Sequence, residues 1–194
     1  MRIPSWPLLF LCATLSACNV AMSDRPLFAE AQRSTTLILE DGLWLMVDAN
    51  CEVDSAKDKA GWPKCANWVI LKNNKIRTSS DTKPTEEPKN IFIVDGTPPL
   101  IQAESDDADP EYMFIAIESL TNSPARRIVS LNAWPVPCGI QDSKKGPSAK
   151  VAPYPGFDEK CRTKSVEALR AAAARGREPG TEVVQFRWVR FESQ

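Results

Sequence analysis

The chain has 194 residues, of which 24 are basic and 25 acidic, so its formal net charge is −1, and it contains no histidine. The absence of histidine excludes Ser-His-Asp and Cys-His catalysis, and it removes the commonest zinc ligand and the commonest general base at neutral pH. The length is enough for one domain with a real core or for two small modules. We expect no cofactor, no metal site and no nucleic-acid partner.

The first seventeen residues have the features of a secretory signal. Arg2 is their only charge, and the apolar run over 7–15 is too short to span a bilayer, which needs ~20 residues. Small residues follow the run, as the cleft of a signal peptidase requires. The sequence therefore predicts a signal peptide over residues 1–17.

The signal ends in Leu15-Ser16-Ala17-Cys18, which resembles the lipobox of bacterial lipoproteins at all four positions. The resemblance implies that the Cys18 sulfur receives a diacylglycerol, that cleavage follows Ala17, and that the new amino terminus is acylated. Three acyl chains anchor a protein far more firmly than one. Asn19 follows the cysteine, and in that family a residue other than aspartate favours the outer membrane of Gram-negative bacteria. We therefore expect a lipid-anchored outer-membrane protein, with a secreted protein carrying a chance cysteine as the alternative.

Beyond the lipobox the sequence predicts two parts. Residues 18–34 have weak periodicity and are expected to form a lipidated tether, whereas residues 35–194 are expected to form a single β-rich domain. Within that domain, short apolar runs alternate with turn signals. The Asp-Gly pair at 41–42 predicts a turn that joins a strand over 35–40 to a strand over 43–47.

Further strands are predicted where residues form apolar or alternating runs. They cover residues 68–72, 75–78, 90–94, 100–104, 112–120, 127–134 and 182–191. A helix is predicted over 163–175, because Ser165 is a good N-cap and Gly176 suits the position after the last turn. Short strands with frequent turns and one late α-helix predict a mainly β fold, an antiparallel barrel or sandwich of about eight short strands.

Four cysteines remain once Cys12 leaves with the signal and Cys18 is lipidated. They are Cys51, Cys65, Cys138 and Cys161. An even number of cysteines in an oxidising compartment predicts two disulfides. We favour the pairing of the first with the second and the third with the fourth, because each pair then closes one irregular loop. A cross-link between the two halves of the chain is the alternative.

One short motif suggests a ligand carrier. Gly42-Leu43-Trp44 resembles the G-x-W motif of lipocalins, in which the tryptophan packs across the base of an eight-stranded barrel. The resemblance implies a carrier of a small ligand or lipid, with a cavity lined by Trp44, Phe114 and Trp188. The alternative is that Trp44 is an ordinary core aromatic residue.

Two groups of carboxylates are candidates for chemistry. Asp48, Glu52 and Asp54 lie near one another, and paired carboxylates perform acid and base catalysis in glycosidases, so a carboxylate-dependent hydrolase is a third hypothesis. Residues 104–111 carry five carboxylates, which are ligands that hard cations prefer, but the spacing of an EF-hand is missing. We interpret this stretch as a solvated loop.

Charge is distributed unevenly after the signal. Residues 18–125 carry 10 basic and 18 acidic side chains, whereas residues 126–194 carry 13 basic and 7 acidic side chains. A basic half suits an anionic envelope component, although the two halves also attract each other within one fold. The sequence thus favours a membrane-anchored, non-catalytic envelope protein that binds an envelope protein or an anionic component, or that has a structural role.

Overall fold

The structure is a computed structural model that describes residues 19–48, 50–78, 87–104, 111–141, 151–176 and 183–192. The strands in these ranges are β1 (Met22–Ser23), β2 (Gly42–Val47), β3 (Trp68–Lys72), β4 (Lys75–Thr78), β5 (Lys89–Val94), β6 (Leu100–Glu104), β7 (Tyr112–Asn122), β8 (Ile128–Pro135), β9 (Gly139–Gln141), β10 (Val151–Pro153) and β11 (Val184–Arg190). Helix α1 covers Val166–Arg175, and short 3-10 turns cover Glu30–Gln32 and Lys59–Gly61.

Eight of these strands close into an antiparallel barrel. Each strand from β2 to β7 pairs with the next strand in the chain, and β11 pairs with both β8 and β2, which closes the ring. Because the eight strands follow one another round the ring in chain order, with β9, β10 and α1 inserted between β8 and β11, the topology is that of an up-and-down barrel. The prediction of a mainly β fold with one late helix is confirmed, and of the two architectures it allowed, the barrel is the one that forms.

Alternation of side chains along each strand directs every second residue into the barrel. Trp44 of β2 lies opposite Trp188 of β11, and Phe186 of β11 lies opposite Leu131 of β8. The inward residues form one cluster, whose buried members are Trp44, Leu71, Ile91, Ile93, Ile101, Ala103, Ile117, Ile128, Leu131 and Ala133. The interior of the barrel is therefore a hydrophobic core built from its own side chains.

Residues 34–41, which we call the strap, cross one end of the barrel. On one side Ser34 N donates to Ile93 O of β5 at 2.7 Å, and on the other Ile128 N of β8 donates to Ile38 O at 2.7 Å. The strap therefore connects two strands from opposite parts of the ring, and we call this end of the barrel the strap end.

The strap is fixed by the two tryptophans of the interior. The indole nitrogen Nε1 of Trp44 donates to Glu40 O at 2.9 Å, and Nε1 of Trp188 donates to Asp41 O at 3.0 Å. The strand predicted over 35–40 is wrong, because this backbone runs across the barrel end instead of pairing along β2. Its alternating leucines gave the pattern of a strand because they insert into the interior cluster.

A second hydrophobic cluster lies outside the barrel, where α1 and residues 19–32 cover β5 to β8; we call α1 and these residues the helix layer. Its buried members are Ala21, Phe28, Val94, Leu100, Phe114, Ala116, Trp134, Val136, Leu169, Ala172 and Ala173. Phe28 and Phe114 meet edge to face with ring centroids 6.3 Å apart. Half of the barrel is therefore buried on both of its faces.

The predicted helix forms with the predicted N-cap. Ser165 Oγ accepts a hydrogen bond from Ala168 N at 3.0 Å, which satisfies one of the amides that the first turn leaves unpaired. Gly176 ends the helix with a φ of −61°, in the right-handed region. Glycine is required there for space, because a Cβ atom would meet the indole of Trp134 at 2.6 Å.

The segment expected to be a tether packs against the barrel instead. Ala21 and Phe28 are buried, and β1 pairs with the start of β7. Gln102 of β6, which is 2% exposed, accepts hydrogen bonds through Oε1 from Leu27 N at 2.9 Å and Phe28 N at 3.1 Å. Residues 19–34 therefore belong to the folded domain, because they bury apolar side chains that the weak periodicity concealed.

Residues 50–67 cover the outside of the barrel where β2, β3 and β11 lie, and we call them the loop layer. Arg190 Nη1 of β11 donates to Ser55 O at 3.1 Å and to Lys57 O at 3.0 Å. Lys59 Nζ lies 4.5 Å from the ring centroid of Trp68 on β3. Polar contacts at the end of the last strand thus hold this layer in place.

Each outer layer is closed by one disulfide. Cys51 is bonded to Cys65 with their Cα atoms 5.9 Å apart, and Cys138 is bonded to Cys161 with their Cα atoms 5.2 Å apart. The favoured pairing is confirmed. The first disulfide closes the loop layer on itself, whereas the second ties the end of β8 to the segment that precedes α1.

Candidate functional site

The predicted lipidation residue, Cys18, lies outside the described residues, but the structure places the residue that follows it. Asn19 Oδ1 accepts hydrogen bonds from Cys138 N at 3.2 Å and from Gly139 N at 3.0 Å. Two residues later, Ala21 N donates to Val136 O at 2.7 Å. The beginning of the described chain is therefore fixed beside the second disulfide, at the end of β8 that is farthest from the strap.

A small hairpin projects beside this point. Strands β9 and β10 pair so that Ile140 lies opposite Ala152, and Gly139 opposite Pro153. Ile140 is 64% exposed, and both Ala152 and Pro153 are exposed as well. An apolar surface thus lies directly beside the residue that follows the predicted anchor.

An ion-pair network joins the first segment to the chain near Cys161. Arg162 pairs through Nε with Asp24 Oδ1 at 3.1 Å and through Nη2 with Glu111 Oε1. An open cavity of about 720 Å³ lies over this network, lined by Asp24, Gly156, Phe157, Asp158, Glu159, Lys160, Arg162, Thr163 and Lys164. Acidic and basic side chains alternate along its wall, and Arg162 is already paired, so the cavity does not present one sign of charge.

The cavity described at the strap end of the barrel is small. A cavity of about 130 Å³ lies between the strap and β5, lined by Arg33, Ser34, Leu37, Ile38, Leu39, Asn74, Ile91, Phe92 and Ile93. Pockets for drug-sized ligands occupy ~300–1,000 Å³. Neither described cavity is lined by Trp44 or Trp188, which are packed in the core, and Phe114 points outward into the helix layer. The cavity that the carrier hypothesis places at these three residues is thus not formed by them.

The three carboxylates of the hydrolase hypothesis lie in or beside the loop layer, and two of them stabilise local turns. Asp48 Oδ1 accepts a hydrogen bond from Asn50 N at 2.8 Å, and Asp54 Oδ1 accepts one from Ala56 N at 3.1 Å. Such bonds to the amide two residues later are typical of Asx turns. Glu52 is exposed, and none of the three carboxylates lines either described cavity.

The described ranges contain neither a metal-binding cluster nor a membrane-spanning helix. No group of three or more carboxylate or cysteine side chains in these ranges is arranged to hold a metal ion. Most of the acidic stretch at 104–111 lies outside the described residues. No helix in the part of the chain that the structure describes is both long enough and apolar enough to cross a membrane.

Arg170 of α1 is a half-buried polar residue that the sequence analysis missed. Its Nη1 donates to Pro98 O at 2.8 Å, its Nη2 donates to Asp95 O at 2.5 Å, and its guanidinium lies 5.3 Å from the ring centroid of Phe28. Burial lowers the pKa of this guanidinium, although the charge of Asp95 opposes the shift. The neighbouring Gly96, at φ +156°, leaves room for it. Arg170 thus locks the helix to the β5–β6 turn, which is a structural role.

No protein-family model matches the chain, and no match was found among curated proteins or among solved structures. The barrel, its two outer layers and the apolar hairpin beside Asn19 are therefore the features from which a function is inferred.

Proposed function

We propose that this chain is a lipid-anchored envelope protein whose barrel has a non-catalytic binding or structural role. The observation that carries the proposal is the packed interior of the barrel, in which the buried Trp44 and the partly buried Trp188 pack with nine buried aliphatic side chains. A barrel filled in this way offers its outer surfaces, not its interior, to partners. The anchor is proposed from the lipobox at 15–18.

The anchor is tested by metabolic labelling with a fatty-acid analogue in a Gram-negative host. We expect the wild-type chain to incorporate the label and to sediment with the outer membrane. Cys18→Ser should abolish both properties, because the acceptor sulfur is removed. Cys12→Ser is the matched control, since it removes the other cysteine of the signal and should leave labelling unchanged. Label retained by Cys18→Ser, or absent from the wild type, would contradict the anchor.

A lipocalin-like carrier is the second candidate, and the topology favours it. An up-and-down barrel of eight strands begins with Gly42-Leu43-Trp44, and Trp44 lies in its interior beneath the strap. The small cavity under the strap would suit only a ligand of a few heavy atoms, since an apolar cavity of ~150 Å³ holds a molecule the size of benzene.

The two candidates differ in how the barrel responds to enlargement. For a filled barrel, an apolar probe of about the size of benzene should not bind to the wild-type domain, whereas Phe186→Ala, in which interior space is created, should bind it. For a carrier, the wild-type domain should bind the probe, and binding should quench tryptophan fluorescence because Trp44 and Trp188 lie inside. Saturable binding to the wild type would favour the carrier.

A further inference from the structure

The position of Asn19 limits how a lipid-anchored form of this protein can sit on a membrane. Its side chain accepts hydrogen bonds from two consecutive backbone amides, those of Cys138 and Gly139. Consecutive Cα atoms are ~3.8 Å apart, so the Cα atom of Cys18 lies at that distance from the Cα atom of Asn19. An acyl group on Cys18 would therefore be attached to the domain without a flexible linker.

The surface next to this attachment point is apolar and uncovered. Ile140 is 64% exposed on β9, and its pairing with Ala152 places both side chains on the same face of the hairpin. Pro153, the next residue of β10, is opposite Gly139 and lies on the other face of the hairpin. Exposed apolar residues grouped beside a membrane anchor are typical of interfacial contact.

We propose that the hairpin face formed by Ile140 and Ala152 lies in the interfacial region of the bilayer that holds the anchor. The inference rests on the proposed lipidation of Cys18, because the anchor is what brings this face to the lipid. A lipid surface is the occupant that the position of Asn19 indicates, because Asn19 directly follows the proposed lipidation residue. The anchor and the apolar face are joined by Gly139, whose amide binds Asn19.

The same geometry directs the strap end away from the membrane. Strand β8 runs from Ile128, beside the strap, to Pro135, three residues before Cys138, and its eight residues span ~25 Å. Phe191 lies at the strap end, after the pairing of Arg190 with Leu43, and is 71% exposed. Two exposed apolar side chains at opposite ends of the molecule therefore provide a test site and a matched control.

The experiment uses the full lipidated protein in liposomes of phosphatidylethanolamine and phosphatidylglycerol. Ile140→Cys and Phe191→Cys are each labelled with an environment-sensitive fluorophore after the native disulfides have formed. We expect the label at 140 to gain intensity several-fold in liposomes and to be quenched by nitroxide groups on the acyl chains. The label at 191 should keep the emission of the soluble domain. Near-ultraviolet circular dichroism checks that both variants are folded.

The outcomes separate the two proposals. Lipidated protein that fails to float with the liposomes would contradict the anchor and, with it, the membrane contact. Protein that floats, but whose labels at 140 and 191 both remain in water, would overturn the hairpin contact and leave the anchor standing. A label at 140 that is shielded in native outer membranes but not in liposomes would also overturn it, in favour of a protein partner. The unlipidated Cys18→Ser form of Ile140→Cys should show no response to liposomes.

Discussion

The two layers outside the barrel are built on different physical principles. The helix layer buries Phe28, Trp134 and Leu169 in one continuous apolar cluster with the outer faces of β5 to β8. In the loop layer, Cys51 is the one buried side chain among residues 50–67, and the layer is held by hydrogen bonds and ion pairs from the end of β11. One disulfide nevertheless closes the loop layer, and the other ties the segment that leads into the helix layer to the end of β8.

The comparison shows that a disulfide can serve two purposes in one chain. In the helix layer, the bond between Cys138 and Cys161 reinforces an apolar core that would hold the layer by itself, and it fixes the site that binds Asn19. In the loop layer, whose own side chains bury little apolar surface, the bond between Cys51 and Cys65 adds a constraint that surface polar contacts do not supply, because such contacts contribute little free energy. The helix layer should therefore unfold with the barrel, and the loop layer should open separately.

The largest loss of stability is expected from a substitution at the centre of the helix layer. Phe114 is fully buried on β7, and Phe114→Ala should lower the free energy of unfolding by about 3–5 kcal/mol, because it leaves a cavity among α1, Phe28 and the barrel. Denaturant unfolding monitored by circular dichroism measures the change. Leu120→Ala on the same strand is the control, since Leu120 is 44% exposed and should change stability by less than about 0.5 kcal/mol. Equal losses at the two positions would contradict the packing of the helix layer.

Removing the disulfides should distinguish the layers more sharply. Replacing Cys138 and Cys161 by alanine should cost about 4 kcal/mol, because a loop spanning 23 residues loses its closure and two buried sulfurs are removed. Replacing Cys51 and Cys65 should lower barrel stability by no more than about 2–3 kcal/mol, because the loop layer can detach while the barrel remains folded. Chemical denaturation of the two double variants makes the comparison. A larger loss of unfolding free energy on replacing Cys51 and Cys65 would contradict the assignment of the loop layer as the part that opens separately.

Arg190 tests how the loop layer is attached. Arg190→Ala removes the two hydrogen bonds to Ser55 O and Lys57 O, and it should lower the free energy of unfolding by about 1 kcal/mol. Hydrogen exchange should accelerate at amides of the loop layer and stay unchanged in α1. Arg187→Ala is the control, because Arg187 is an exposed residue of the same strand. Faster exchange across the whole barrel would mean that the loop layer unfolds with the core.

The smallest expected change in stability comes from a substitution at the start of α1, and this change depends on pH. The pKa of Glu167 lies below its ordinary value of 4.5, because the carboxylate accepts hydrogen bonds from its own backbone N–H and from Ser165 Oγ. A carboxyl with a lowered pKa stabilises the folded state above its unfolded pKa, and that contribution is lost as the pH falls through the folded pKa. Glu167→Gln should therefore lower the melting temperature slightly at pH 7 and have no effect in strong acid.

The role of Ser165 in this effect is checked by a double-mutant cycle. In a Ser165→Ala background, Glu167→Gln should lower the melting temperature at pH 7 by less than it does in the wild type. The reason is that one of the two hydrogen bonds to the Glu167 carboxylate is already lost. If Glu167→Gln changes the melting temperature by the same amount at pH 7 and in acid, the change does not come from the charge of Glu167.

Patterns that are local in sequence predicted their structures well. The alternation around Trp188 predicted β11, and the N-cap at Ser165 predicted the start of α1. The cysteines that bracket single loops are paired as expected. These features depend on neighbours within a few residues or within one loop, so the sequence itself contains the information.

Features that depend on distant contacts were not predicted. The segment at 19–34 is docked by Gln102, which lies more than seventy residues away from its partners Leu27 and Phe28. The strap had the alternation of a strand, yet its backbone bonds connect β5 with β8. Gly176 was expected at the position after the last turn of α1, but the packing against Trp134 that requires a glycine there was not predicted. In each case, the partner that determines the conformation is remote in the sequence.

The central claim is that the barrel is filled by its own side chains and acts through its outer surfaces. Native mass spectrometry of the Cys18→Ser domain, purified from a periplasm under mild conditions and measured before and after denaturation, tests this claim most directly. We predict the same mass in both measurements, that of the bare chain with two disulfides. Additional mass that disappears on denaturation would reveal a bound small molecule, contradict the filled barrel and establish the carrier in its place.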